Sequence, residues 1–320
     1  MKKLFTILAV AATLVSCAKD ETIAVNKGEA IQFGNAFVEN ATRATDNTYG
    51  NVALTKFNVY GTVQGTGNGV VNIFDGDVVT GAVGQNVWSC DVKQYWIAGA
   101  TYNFAAVVDV NNDDNLPVGV TTDANGMPKT ITYTTANQND LLYATAGPIT
   151  GLAKDNQKVN FTFSHLLAKA QFTVKSNTEG GYYYSVKNIK VSNFETGTYT
   201  INGGTWAGTT AKDIEFGNVE KVTKADTNGK TNATQMLLIP TTTEFKVSFT
   251  VEIWNDNGDA EDVLLGTTSY TGDAAKIVSQ DLVAGHVYDF NLDLKVGELI
   301  QFTVTSNPTW AGETDVNVTL

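Results

Sequence analysis

Arginine is nearly missing from this 320-residue chain. Arg43 is the only one, against 20 lysines. Positive charge is short overall, with 21 Lys and Arg against 33 Asp and Glu and a formal net charge of −12. That balance excludes a nucleic-acid footprint, which needs clustered cations on one face, and suits a surface protein. Histidine and cysteine are rarer still, at two each. His165 and His286 lie far apart, and no HExxH, GxSxG or Gly-Lys phosphate loop is present. No catalysis, cofactor or metal is expected. Long apolar runs are also lacking: the longest, LFTILAVAATLV near the N-terminus, is too short to span a bilayer as a helix. Proline is scarce (5) while glycine is frequent (29), which favours strands joined by tight turns.

The first residues read as a targeting segment, outside the fold. Lys2 and Lys3 precede the apolar run, which ends in Leu14-Val15-Ser16-Cys17. This looks like a bacterial lipobox. Residues 1–16 would be a signal peptide, and Cys17 would become a lipidated N-terminus. The acyl chains would then be the membrane anchor. With Cys17 so used, no intramolecular disulfide forms, and Cys90 is expected to be a small buried residue.

From about residue 50 the hydrophobic period is that of strands. TKFNVYGTV, TYNFAAVVDV, KVNFTF, AKAQFTVKS, KVSFTVEIW and VYDFNLDL alternate apolar with polar residues. Gly65–Gly69, Asn125-Gly126, Gly203-Gly204, Asn228-Gly229 and Asn257-Gly258 supply turns between them. Helix is limited to short candidates near Ser164–Ala168 and Asp273–Ile277. An internal echo joins Trp96–Phe104 (WIAGATYNF) to Leu282–Phe290 (LVAGHVYDF), offset by 186 residues. Two β-sandwich domains on related plans explain it, with a boundary inside KVNFTFSHLLAKAQFTVKS. The expected divisions are 17–43 as a lipidated propeptide, 44–164 as an N-terminal domain and 165–320 as a C-terminal domain.

At these residues the chain resembles the fimbrillin-like proteins of Bacteroidetes, the subunits of type V pili. Four features carry the resemblance: the lipobox at Cys17; the strand IQF followed by Thr42-Arg43-Ala44; Asp140–Ala144 followed by Val159–Ala170; and Leu238-Ile239-Pro240 with a strand-rich tail after Tyr288-Asp289-Phe290. Ala18–Glu21 is similar to the acidic tag that sends lipoproteins of this group to the outer face of the outer membrane. The resemblance implies an all-β fold of two transthyretin-like Greek-key sandwiches. It also implies a pathway. The precursor reaches the outer membrane as a lipoprotein. An arginine-specific protease cuts between Arg43 and Ala44 and releases the first strand, with Ile31, Phe33 and Phe37. The C-terminal strands of another copy then fill the vacated groove. Other copies, anchor and tip subunits, the protease and the outer membrane are the implied partners, and the final location is a cell-surface fimbrium.

The residues bear on this independently. With one arginine, such a protease has one site, whereas a lysine-specific enzyme would have 20. Filling a groove with an extended strand is β-augmentation, for which pilin donor-strand complementation is a known example. The tail, about residues 298–320, offers two alternating segments. One presents Ile300, Phe302 and Val304, the other Val316, Val318 and Leu320. Burying five or six such side chains would contribute on the order of 8–15 kcal/mol before entropic costs. The same segments could instead form the last hairpin of their own domain. A second reading is a tip adhesin, or a non-polymerising surface lipoprotein that binds glycan or host protein. An anchor would keep its lipid and need no cut, and a tip would need a groove but no donor tail. Asp109–Asp114 and Asp256–Asp262 carry oxygen ligands but read as solvated loops, lacking the full pattern of a calcium loop. Tyr182–Tyr184 could stack on sugars, but strand alternation accounts for them equally.

Overall fold

The computed structural model describes residues 29–38, 48–49, 52–81, 86–109, 119–152, 157–178, 180–231, 235–258, 261–295, 300–307 and 316–319. In chain order the strands are β1 (Gln32–Val38), β2 (Thr48–Tyr49), β3 (Val52–Ala53), β4 (Lys56–Gln64), β5 (Val70–Thr80), β6 (Ser89–Cys90), β7 (Thr101–Asp109), β8 (Val120–Thr122), β9 (Pro128–Thr134), β10 (Leu141–Thr150) and β11 (Lys158–His165). They continue as β12 (Ala168–Ser176), β13 (Tyr182–Thr200), β14 (Thr205–Val222), β15 (Lys230–Thr231), β16 (Met236–Leu238), β17 (Phe245–Asn255), β18 (Val263–Tyr270), β19 (Lys276–Val278), β20 (Val287–Leu294), β21 (Gln301–Asn307) and β22 (Val316–Thr319). The architecture is all-β, as the alternating pattern predicts.

The first unit is a seven-stranded sheet in the order β1-β11-β10-β7-β4-β5-β6. It curls until its two ends meet, through a bridge between Phe33 on β1 and Trp88 just before β6. β11 buries alternate residues, Val159, Phe161 and Phe163, against this core, as a sheet with one covered face should. β4 and β7 are buried almost throughout. Their second face is covered as well: Tyr60, Ala105 and Val107 point away from the first core into a separate apolar cluster.

The second unit has two sheets. One orders β15-β12-β20-β21-β22, with β16 also on β12. The other orders β18-β17-β13-β9-β8, with β14 on β13 and β19 on β17. Phe172, Phe249, Phe290, Phe302 and their aliphatic neighbours fill the space between them.

The hairpin β8–β9 precedes β10 in sequence, yet β9 pairs antiparallel with β13 of the second unit, from Thr134↔Thr196 to Thr130↔Thr200. Ile131 and Tyr133 of β9 then meet Tyr60 and Val107 of the first sheet, with Leu166, Leu167, Leu237 and Ile239. The two units are therefore joined by main-chain bonds and by a buried apolar cluster. Side-chain amides complete the seam. Gln138, with a left-handed φ of 51°, accepts from the Leu237 amide and donates to its carbonyl. Asn193 does the same for Ile239. Each amide stands in for a missing strand beside the Leu238-Ile239-Pro240 motif.

Ser164–Ala168 is not helical. β11 runs to His165, Leu166 donates its amide to the Leu141 carbonyl, and Leu166 and Leu167 are sunk in the seam. Tertiary hydrogen bonds and burial outweigh the weak local propensity. At the other helix candidate, Gly272–Ala274 forms one 3-10 turn before β19.

Candidate functional site

β1 is the described strand that immediately precedes Arg43 in sequence. Its sequence, QFGNAFV, alternates too poorly to form an autonomous strand, and the fold holds it from both sides. On one side it runs parallel to β11, with Gln32 beside Lys158, Phe33 beside Val159 and Val38 beside Phe163. On the other, Ile31 donates to the Gln94 carbonyl (2.7 Å), and Trp88 and Trp96 donate to Phe33 (2.9 Å) and Glu29 (3.0 Å). β1 is thus a keystone between the two ends of the curled sheet. Removing it would leave unpaired backbone on both flanks.

Its side chains fill the centre of the first core. Phe33 is 1% exposed, and its ring lies 5.5–6.4 Å from those of Phe57, Phe74, Phe104 and Phe161. Ile31 and Ala36 are buried beside it. A register shift between Phe33 and Ala36 breaks the period-2 pattern, so Ala36 faces inward where strict alternation would not place it. Gly34, at the break, lies so close to Asn160 that a Cβ would displace that side chain. Phe37 is described by its backbone alone, opposite Thr162. Cys17, Arg43, Ala44 and Leu320 lie outside the described residues.

The C-terminal segments lie at the edge of the second unit. β21 runs antiparallel to β20 and turns Phe302, Val304 and Ser306 inward. Phe302 stacks on Phe290 and Phe249, with centroids 6.1 and 6.3 Å apart. Ile300 is half-buried against the same core. Beyond it, among the described residues, β22 pairs only with β21, placing Val318 opposite Val304 and Val316 opposite Ser306. In this chain, then, the tail is paired with its own domain. Ser306 continues the inward face, a position that the apolar pattern alone passes over.

The internal echo proves to be one device built twice. Tyr102 Oη accepts from the Ile97 amide (2.7 Å) and donates to the Tyr95 carbonyl (3.1 Å). Tyr288 Oη accepts from the Val283 amide (2.8 Å) and donates to the Asp281 carbonyl (2.7 Å). Gly99 and Gly285 turn the chain with φ of 77° and 75°, a region that favours glycine. Each tyrosine ties a tight corner to the strand it begins, much as a tyrosine corner does in other sandwiches.

Other chemistry-bearing groups are packed within the fold. His165 Nδ1 and Asp140 Oδ2 share a hydrogen bond of 2.7 Å, both residues buried at the seam. Burial pushes the Asp140 carboxyl up, against the opposing pull of His165. The Cys90 thiol is buried and raised by desolvation. Tyr183 and Tyr184 are buried and only Tyr182 is exposed. Among the described residues no three acidic, His or Cys side chains are grouped to hold a metal. Parts of both candidate calcium stretches, residues 110–114 and 259–260, lie outside the described residues.

A family model described as fimbrillin-like matches residues 42–308. The structure is similar to that of a fimbrial protein from Bacteroides vulgatus ATCC 8482, with a TM-score of 0.63 at 16% identity, covering 88% of this chain and 100% of that one. It is also similar to a protein assigned to cell adhesion from Bacteroides ovatus ATCC 8483, with a TM-score of 0.51 at 14% identity, covering 90% of this chain and 99% of that one. At such identities the likeness speaks for the fold. No curated protein matches the sequence. The family match runs from the residue before Arg43 to the residue after β21, and on that breadth the chain belongs to the fimbrillin-like family.

Proposed function

We propose that this fimbrial subunit is made as a lipoprotein carried on Cys17, is cut between Arg43 and Ala44, and polymerises by strand exchange. The observation that carries the reading is the position of β1. It is hydrogen-bonded on both flanks and plugs the first core with Phe33, while the single arginine follows it in sequence. One cut there severs β1 from every residue downstream while leaving the rest of the first sheet in one piece.

The energetics set the order of events. While β1 is seated, its bonds to β11 and to the Trp88–Trp96 segment occupy both flanks of the groove, so the precursor is protected from premature assembly. After the cut, β1 is held only by non-covalent contacts and becomes exchangeable. The vacated groove then exposes apolar walls and two unpaired edges, which favour a replacement strand. The proposed donors are β21 and β22 of another copy, through Ile300, Phe302, Val304, Val316, Val318 and Leu320. Donation must offset what the tail loses at home. β22 is an edge strand and leaves at smaller cost, whereas β21 would uncover Phe249 and Phe290.

The home pairing of β21 and β22 favours a second reading: a surface lipoprotein, or a tip adhesin, whose tail stays in place. One experiment separates the two. The full chain is treated with an arginine-specific protease and followed by intact mass and unheated denaturing gel. Strand exchange predicts a single cut leaving residues 44–320 and a ladder of stable multimers. Resistance of the folded chain at Arg43 would overturn the proposal. Clean cutting that yields only monomers would favour a subunit that does not donate its tail.

A further inference from the structure

The outward face of the sheet β15-β12-β20-β21 lines an open, solvent-facing cavity of about 420 Å³, within the range of about 300–1,000 Å³ typical of small-ligand sites. Such sites are usually apolar with a few polar groups. This one is the reverse, lined by amide, hydroxyl, carboxylate and ammonium side chains with no aromatic or aliphatic residue among them.

The lining follows from strand register. Because alternate residues share a face, β20 presents Asp289, Asn291 and Asp293 outward while Phe290 and Leu292 fill the core. Gln171 stands opposite Asp289 and Thr173 opposite Asn291 on β12. On β21, Thr305 and Thr303 flank the same two β20 residues. The result is a grid of polar groups, spaced roughly 4.8 Å across the strands and about 6.7 Å along them. The grid is held in place by its own bonds. Asp289 Oδ2 accepts from Thr173 Oγ1 (3.0 Å) and from Gln171 Nε2 (3.4 Å), and Asn291 Nδ2 donates to Thr305 Oγ1 (3.4 Å). Side chains already fixed lose little freedom when a ligand arrives.

From this geometry we infer a binding site for a neutral, hydroxyl-rich saccharide. A peptide strand has no opening there, because β12 and β20 are paired on both sides. An anion would meet two carboxylates, Asp289 and Asp293, against the single cation Lys175. An apolar ligand would strip water from these polar groups without replacing its hydrogen bonds. Vicinal hydroxyls both donate and accept, and so can use carboxylate, amide and hydroxyl partners together. With no ring to stack on, the sugar is held by its edges. The inference is independent of strand exchange, with one link to it: Thr303 and Thr305 belong to β21, so the cavity is complete in any subunit whose β21 remains on β20.

The test is a printed oligosaccharide panel probed with the full chain. One arm carries neutral glycans of animal glycoproteins, a second neutral fragments of plant and microbial polysaccharides, and a third sialylated glycans. Binding is expected in one of the neutral arms, which also identifies the source, and not in the sialylated arm. Asn291→Ala should weaken binding roughly tenfold, in line with the loss of one or two hydrogen bonds. Thr303→Val, which keeps the side-chain shape, should weaken it less, with circular dichroism unchanged in both variants. No retention on either neutral arm, preference for sialylated glycans, or binding indifferent to both substitutions would overturn the assignment.

Discussion

Phe33→Ala is the substitution that interrogates the keystone most sharply. Phe33 is 1% exposed and packed among four other aromatic rings. Truncating a buried Phe to Ala costs about 3–5 kcal/mol through lost transfer energy and the cavity left behind. Ala36 and Ile31 are too short to collapse into that space, so the upper half of the range applies. A domain is stable by only about 5–15 kcal/mol, so the loss is a large fraction of the total. At about 1.4 kcal/mol per factor of ten, local opening of β1 should become several hundredfold more frequent or greater. Amide hydrogen exchange on the full chain reads this directly. Peptides covering residues 29–38, 86–96 and 157–165 should exchange faster, because their bonds run to β1. Peptides covering β20 and β21 should keep the parent rate. A variant with parental exchange around β1, or one in which both units loosen equally, would refute the keystone argument.

Other expectations follow from particular contacts. His165→Ala removes the hydrogen-bond partner of the fully buried Asp140 side chain and should cost roughly 1–3 kcal/mol by denaturant midpoint; an unchanged midpoint would mean that this bond adds nothing to the seam. Tyr102→Phe and Tyr288→Phe each orphan a corner amide and carbonyl, for about 1–3 kcal/mol. Their effects on thermal stability should add, since the two corners lie in separate cores, and strong non-additivity would count against a corner that works locally in each unit. Burial holds His286 below the usual histidine value, so the unfolded chain takes up its proton first as pH falls through about 6.5. Stability should therefore decline below that pH, and His286→Gln should flatten the decline; an unchanged slope would mean the imidazole is not desolvated.

Much of this molecule was legible in the order of its residues, and the exceptions share a cause. Alternation in KVNFTF and VYDFNLDL gave β11 and β20 their inward faces, and the echo at Tyr102 and Tyr288 marked two related units. Phe33 and Phe302 stood out because aromatic residues at period 2 have few other uses. Ala36 was invisible because a register shift does not alter composition. The union of β9 with β13 was invisible because period 2 states that a strand exists but not which strand it joins. Gln138 and Asn193 bond to residues 99 and 46 positions away, and nothing local distinguishes them from loop polar residues. The polar cavity is the same kind of case. Each of Gln171, Asn291 and Thr303 is an ordinary outward residue, and only the pairing of β12, β20 and β21 brings them around one space.

The central claim is that the tail of one subunit takes the place of β1 in another. Isotope-labelled and unlabelled full chains, mixed, cut at Arg43 and treated with a lysine-reactive cross-linker, test it directly. Lys158 stands beside the β1 groove, opposite Gln32, and Lys295 precedes the tail strands. Strand exchange predicts Lys158–Lys295 links between labelled and unlabelled chains, appearing only after the cut. Links confined to single chains, before and after cutting, would contradict it.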